Sequence, residues 1–184
     1  MKIDEKFKII GKQIYLRSVK DLDATKVYCS WLNDSQVNKY TESRFKEYTV
    51  GDILAYIREE NDKKDVIFFA IITNDTDKHI GNIKIHHINP IHKFAEISLL
   101  IGEKSYWGKG VGQEAISLVA KYGFDNLKLN KLFAKCYANN IGSIKAFKKV
   151  GFKEEGLSKK LYKYNDYYVD GVFLGLLNQQ YILK

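Results

Sequence analysis

The stretch Tyr106–Trp107–Gly108–Lys109–Gly110–Val111–Gly112–Gln113–Glu114–Ala115 has the residue types and spacing that bind phosphate. Alternate glycines let the backbone turn tightly with bare N–H groups outward, and a helix-like run through Phe124 opens directly behind them. Backbone donors at a helix N-terminus form a seat for a phosphate or pyrophosphate. The chemistry indicated is that of a phosphorylated coenzyme. Two rival glycine signatures fail. A dinucleotide-binding turn wants Gly-x-Gly-x-x-Gly after the first strand of a βαβ unit. Counted from Gly108 the third glycine position holds Gln113; counted from Gly110 it holds Ala115, which a looser pattern tolerates, but the stretch lies mid-chain after antiparallel strands. A Walker A loop needs Gly-Lys-Ser/Thr, which is missing.

Such a turn needs a strand before it and a helix after it, and the pattern supplies both. Phe94–Ile101 reads as the strand, and Val111, Ala115, Leu118, Val119 and Tyr122 fall at helical spacing. Upstream, Ile14–Ser18 reads as a first strand. A helix capped by Asp21 or Asp23 then carries Ala24, Val27, Tyr28, Trp31 and Leu32, and a second, started by Thr49 or Asp52, carries Ile53, Leu54 and Ile57. Val66–Ile72 is a continuous apolar run, consistent with a strand buried on both faces. With Ile80–Ile88 and Phe94–Ile101 it predicts an antiparallel meander. Downstream come a strand at Lys131–Tyr137 and a helix capped by Asn139 or Asn140 and ended by Gly151. A hairpin, Phe152–Tyr164 and Tyr167–Leu177, closes the chain around Asn165–Asp166. The expected fold class is α/β: a central mixed, mainly antiparallel sheet of about seven strands flanked by four helices.

The totals limit the function classes. At 184 residues the chain is expected to form a single domain over 1–184, and 45% apolar with 14% aromatic content describes a globular protein. No apolar run approaches a membrane span and the charged start Met1–Lys8 does not lead into a signal-peptide core, so a cytoplasmic protein without membrane contact is expected. The net charge of +8 comes from lysines scattered along the chain with no dense basic block, which speaks against nucleic acid and suits a polyanionic small ligand. Cys29 and Cys136 lie far apart among apolar neighbours and read as buried free thiols. His86, His87 and His92 lack ligand spacing, so no metal site is expected. His86 is an alternative base, with a surface histidine as the preferred reading.

One further block follows the strand at Lys131: Asn140–Ile141–Gly142–Ser143–Ile144–Lys145–Ala146–Phe147–Lys148–Lys149–Val150–Gly151–Phe152. With the glycine turn, it resembles the GNAT superfamily of acetyl-CoA-dependent N-acetyltransferases, and within it the RimJ/RimL-like branch. A further match lies at Tyr168–Val169–Asp170. The resemblance implies acetyl-CoA as co-substrate and no metal. It implies that the backbone of Leu99, Leu100 and Ile101 pairs with the pantetheine arm as an added strand. The N–H groups of Gly108, Lys109, Gly110, Val111 and Gly112 would bind the pyrophosphate beside Trp107. Asn140 and Ser143 match positions near the pantetheine, with helix capping as the plain alternative. The strand N–H serving the oxyanion falls to Leu100 or a neighbour. Glu96, in an otherwise apolar strand on the face of Ser98 and Leu100, matches a frequently acidic position and is the expected general base; pairing to a lysine is the alternative. Where many members carry a tyrosine that protonates the leaving thiolate, this chain has Phe147, leaving that proton to solvent, Tyr137 or Ser143.

The acceptor is expected to be a small-molecule amine. The loop Asn38–Phe45 looks like members associated with bacterial surface-sugar biosynthesis, which places a nucleotide-linked amino sugar first. Tyr40 would stack on a base or sugar, Arg44 would meet a diphosphate, and Glu42 would line the pocket. Protein N-termini, polyamines and aminoglycosides are the alternatives, and a non-catalytic acyl-CoA-binding module is the alternative of another class. A homodimer is an expectation carried by the resemblance alone.

Overall fold

A computed structural model describes residues 7–179; Met1–Lys6 of the charged start lie outside them. Twelve elements follow in order: β1 (Lys8–Ile10), β2 (Ile14–Ser18), α1 (Lys26–Asn33), α2 (Val50–Asp62), β3 (Ile67–Thr73), β4 (His79–Asn89), β5 (Phe94–Ile101), α3 (Val111–Asp125), β6 (Lys131–Tyr137), α4 (Ile141–Val150), β7 (Lys153–Tyr164) and β8 (Tyr167–Leu177). The strands form one eight-stranded sheet in the order β1-β2-β3-β4-β5-β6-β8-β7. Among the described residues only β5 and β6 pair in parallel. Among the described residues no helix is long and apolar enough to cross a membrane.

The eighth strand is β1, three residues folded back on β2. Its turn is held from outside: the Glu114 carboxylate, in the first turn of α3, accepts the N–H groups of Lys12 and Gln13, the latter at 3.0 Å. A side chain at Gly11 would place its Cβ 2.2 Å from that carboxylate. α1 differs from expectation as well. Thr25 caps it, accepting from Tyr28 N–H at 3.2 Å, and Val27 lies on its exposed side.

Asp23 is instead gripped by Arg17 through two hydrogen bonds of 2.7 and 2.6 Å, and accepts from Lys20 N–H at 2.7 Å. Burial by itself would raise the Asp23 carboxyl, but Arg17 and the Lys20 N–H outweigh it and hold the group below its ordinary value. A depressed folded-state value stabilises the fold above the unfolded carboxylate's pKa, and the contribution is lost as pH falls through that value and below. Asp23→Asn is therefore expected to cost about 2 kcal/mol in urea unfolding at pH 7, with the gap to the native chain closing below about pH 4.

Two cores flank the sheet. One packs Leu16, Phe69, Ile83 and Ile97 under α3 and α4; the other packs Phe68, Ala70 and Ile72 under Tyr28, Trp31, Ile53 and Ile57 of α1 and α2. Strand β3 feeds both alternately, which is why its sequence is apolar from Ile67 to Ile72. The α1/α2 core reaches Leu100 on β5 and includes no residue of β6. Beyond it, on the same face of the sheet, stand Glu96, Lys135 and Tyr137.

Candidate active site

Strands β5 and β6 pair only between Phe94–Glu96 and Lys131–Phe133, and then diverge. The register of β5 on β4 decides which backbone groups face the gap. Gly102 N–H donates to Ile80 C=O at 2.9 Å, and two-residue alternation puts Leu100 and Ser98 in hydrogen-bonded register with Asn82 and Lys84. Leu99 and Ile101 turn the other way, into the gap. Trp107 Nε1 reaches the Ile101 carbonyl at 2.8 Å. Of the three residues expected to meet the pantetheine, Leu99 and Ile101 therefore face the opening while Leu100 faces β4.

The glycine turn sits at the end of this gap. Gly108 and Gly110 have φ of 73° and 85°, a left-handed backbone that favours glycine. Gly110 is the N-cap of α3 and no side chain caps the helix start. Nothing lies within 4 Å of where a Cβ on Gly108 would stand. The first-turn acid, Glu114, is drawn off toward Lys12 and Gln13. Lys109 lies exposed beside the turn, its ammonium 5.6 Å from the Tyr106 ring centre. This open, uncapped cradle with Val111 and Gly112 in its first turn fits a pyrophosphate.

Asn140 caps α4, its Oδ1 accepting Ser143 N–H at 3.2 Å, and Ser143 Oγ lies 3.4 Å from Cys136 Sγ. Both matched side chains are thus engaged within the protein. Beside them the buried Oδ1 of Asn139 has no hydrogen-bond partner and offers an acceptor that the sequence did not signal. Phe147 is buried against Phe152 and stands in the α3/α4 core.

Glu96 is only 7% exposed. Its Oε2 lies 3.0 Å from Lys135 Nζ and 3.2 Å from His87 Nδ1. The lysine pairing weighed from sequence is real, and it occurs at the mouth of the gap. Neighbouring residues on a strand should face opposite ways, yet the His86 and His87 rings stand 4.5 Å apart. The β4–β5 register slips between His86 and Asn89, and His87 takes a left-handed φ of 52°. His86 is no surface histidine: its Nε2 is buried without a partner. Burial, with Lys84 and His87 adding to it against Glu96, pushes its pKa down to about 4. His86, His87 and Glu96 are the one group among the described residues whose donor atoms, within 4.8 Å of one another, approach a metal-ligand set. The Lys135 ammonium already supplies that carboxylate with its positive charge, so the arrangement does not favour a cation.

The loop after α1 closes over Tyr137. Arg44 Nη2 donates to the Tyr137 hydroxyl at 2.9 Å and to the Lys163 carbonyl, and Nη1 donates to the Thr41 carbonyl at 3.1 Å. The guanidinium thus clasps the loop to the β7–β8 hairpin. Glu42 Oε1 accepts from the same hydroxyl at 3.4 Å. Tyr40 donates to the Asn139 carbonyl at 3.0 Å and stacks on Tyr164, with ring centres 5.8 Å apart. Burial raises the Tyr137 hydroxyl, and Arg44 opposes that rise. Outside the clasp lies a cavity of about 570 Å³ lined by Asn38, Lys39, Arg44, Lys46, Glu47 and Tyr164, among others. Its charged lining is three cations to one carboxylate. Tyr40, Glu42 and Arg44 are brought together as expected, but Arg44 spends most of its donors on the protein. Lys39, Lys46, Lys135 and His87 were not singled out as site residues, because no local spacing marks a contact made across the fold.

The family described as "Acetyltransferase (GNAT) domain" matches residues 13–153. An uncharacterized N-acetyltransferase p20 of Bacillus licheniformis is 30% identical over 163 residues, covering 88% of this chain and 91% of that protein. Among solved structures, spermidine N-acetyltransferase from Vibrio cholerae in complex with CoA and spermine superposes with a TM-score of 0.79 at 22% identity, covering 90% of this chain and 95% of the other. RimL, a ribosomal L7/L12 alpha-N-protein acetyltransferase in complex with coenzyme A, superposes with a TM-score of 0.82 at 14% identity, covering 93% and 98%. At these identities the two structures share the fold alone.

Proposed function

The chain belongs to the GNAT acetyltransferase family, an acetyl-CoA-dependent N-acetyltransferase, and from that premise we propose that its acceptor is an amine on an anionic carrier, a nucleotide-linked amino sugar in bacterial surface-polysaccharide biosynthesis. The observation that carries this reading is the cavity holding Lys39, Arg44 and Lys46 against the single carboxylate of Glu47. Spermidine and other polyamines carry positive charge only, and such a lining repels them. The cavity is linked to the candidate base through Arg44, which touches Tyr137 on the strand carrying Lys135. An elongated acceptor would rest its phosphates at the cavity and its amine near Glu96.

Bound acetyl-CoA supplies an activated acetyl thioester to the gap between β5 and β6. The pyrophosphate would rest on the N–H groups of Gly108–Gly112, and the pantetheine on the gap-facing backbone of Leu99 and Ile101. The Leu99 N–H, the neighbour of Leu100 that faces the gap, would meet an oxyanion there. Glu96 would hold the proton taken from the attacking amine.

The test is thiol release from acetyl-CoA with nucleotide-linked amino sugars, spermidine, an aminoglycoside and peptides with free N-termini, against a no-amine control. Release with the first class alone is expected. In that assay Lys39→Ala and Lys46→Ala should each raise the KM for the sugar nucleotide by about tenfold, the loss of one phosphate contact of about 1.4 kcal/mol. The KM for acetyl-CoA should not move. Release only with spermidine or with peptides would replace the anionic acceptor by that class.

A further inference from the structure

We propose that His87 is the exit for the proton that Glu96 takes from the acceptor amine, a role that rests on reading Glu96 as the base. A buried base must pass its proton on before the next turnover, and the groups around Glu96 differ in their ability to receive it. Lys135, on β6, is a donor with no acceptor atom to offer and pairs with Oε2 at 3.0 Å. His86, on β4, has its Nε2 buried without a partner, and Lys84 on the same strand lies beside it, paired to Glu60 of α2 at 2.7 Å. His87 combines a contact to Glu96, 3.2 Å from Nδ1 to Oε2, a ring nitrogen able to accept a proton, and an open path to water, its side chain being 63% exposed.

The backbone makes this contact in an unusual way. On a regular strand His87 would point away from Glu96, which lies opposite His86 in the register. The left-handed φ of 52° and the register slip after His86 bring the ring to the Glu96 side. Histidine is among the residues that adopt this region more readily, so the sequence tolerates the turn that brings the ring across. The proton balance closes. The amine N–H bond breaks toward Oε2, Nδ1 of His87 in its Nε2–H tautomer receives that proton to give an imidazolium, and Nε2 releases one to water. The ring is reset when water takes the Nδ1 proton and returns one to Nε2. One proton enters the ring and one leaves it, with no other reactant.

The test uses the full chain and the amine that supports the fastest turnover in the panel above. His87→Asn retains a residue that accepts left-handed backbone, and His87→Gln retains an amide that can bond to Glu96; neither can relay a proton. Both are expected to lower kcat about tenfold or more, with the acetyl-CoA dissociation constant unchanged as proof of an intact fold. Added imidazole buffers should restore the rate in proportion to their concentration, a response that a purely orienting residue would not give. Turnover within twofold of native, or a loss that no buffer restores, would overturn the relay while inactive Glu96→Gln keeps the base. Full turnover in Glu96→Gln would remove the base and the relay together.

Discussion

Glu96→Gln is expected to bind acetyl-CoA as the native chain does and to turn over about 10²–10⁴-fold more slowly, the range that a positioned general base contributes. The substitution separates the two readings of this carboxylate. Glutamine fills the same volume and still offers an oxygen to Lys135, but it cannot take a proton from an amine. Lys135 loses an ionic partner while its own side chain is 37% exposed, so hydration compensates for most of the loss. Thermal stability should therefore stay close to native while kcat collapses. If Glu96 served only to pair Lys135, removing the lysine would be just as damaging. Lys135→Met keeps the carboxylate and should retain kcat within about tenfold, since it removes a neighbour rather than the base. Steady-state thiol release, with calorimetric binding of acetyl-CoA beside it, reads both variants. Turnover in Glu96→Gln within about threefold of native would take the base away from this residue.

Much of this site could be read from sequence because its backbone parts are local. A strand, alternate glycines and a helix follow one another within residues 94–125, and the positive φ of Gly108 and Gly110 is what such glycines are for. Asn140 and Gly151 bracket α4 by short-range capping, so that helix was legible almost to the residue. What escaped depends on contacts between distant segments. β1 has only three residues, too few for any period, and its turn is fixed by Glu114 a hundred positions downstream. The same holds for Arg44, whose chemistry suggested a phosphate ligand but whose donors meet Tyr137 and the β7–β8 hairpin. Whether the backbone of Leu99 or of Leu100 faces the gap turns on a single alternation, which the β4–β5 register fixes. His87 escaped for another reason: a histidine, unlike a glycine, gives no sign in sequence that its φ will be positive, so the slip that brings it to Glu96 could not be foreseen.

The cradle yields the second large effect. Gly108→Asp should weaken acetyl-CoA binding about a hundredfold at low salt, about 2.7 kcal/mol, while Gly108→Asn should weaken it by less than about fivefold. The two side chains are nearly the same shape, and both tolerate left-handed backbone better than other non-glycine residues. The φ of 73° therefore strains them alike, and the free space around Gly108 admits either Cβ without displacing protein atoms. They differ by one negative charge, placed where two phosphate charges are to be received at an uncapped helix start. The position is exposed, so the penalty should shrink as salt is raised through about 0.5 M, as screening requires. Isothermal titration of both variants with acetyl-CoA gives the answer without any acceptor. Equal weakening by Asp and Asn would trace the loss to backbone strain. Native affinity in both would move the pyrophosphate off this loop, and the gap between β5 and β6 would then have to hold the coenzyme by its pantetheine alone.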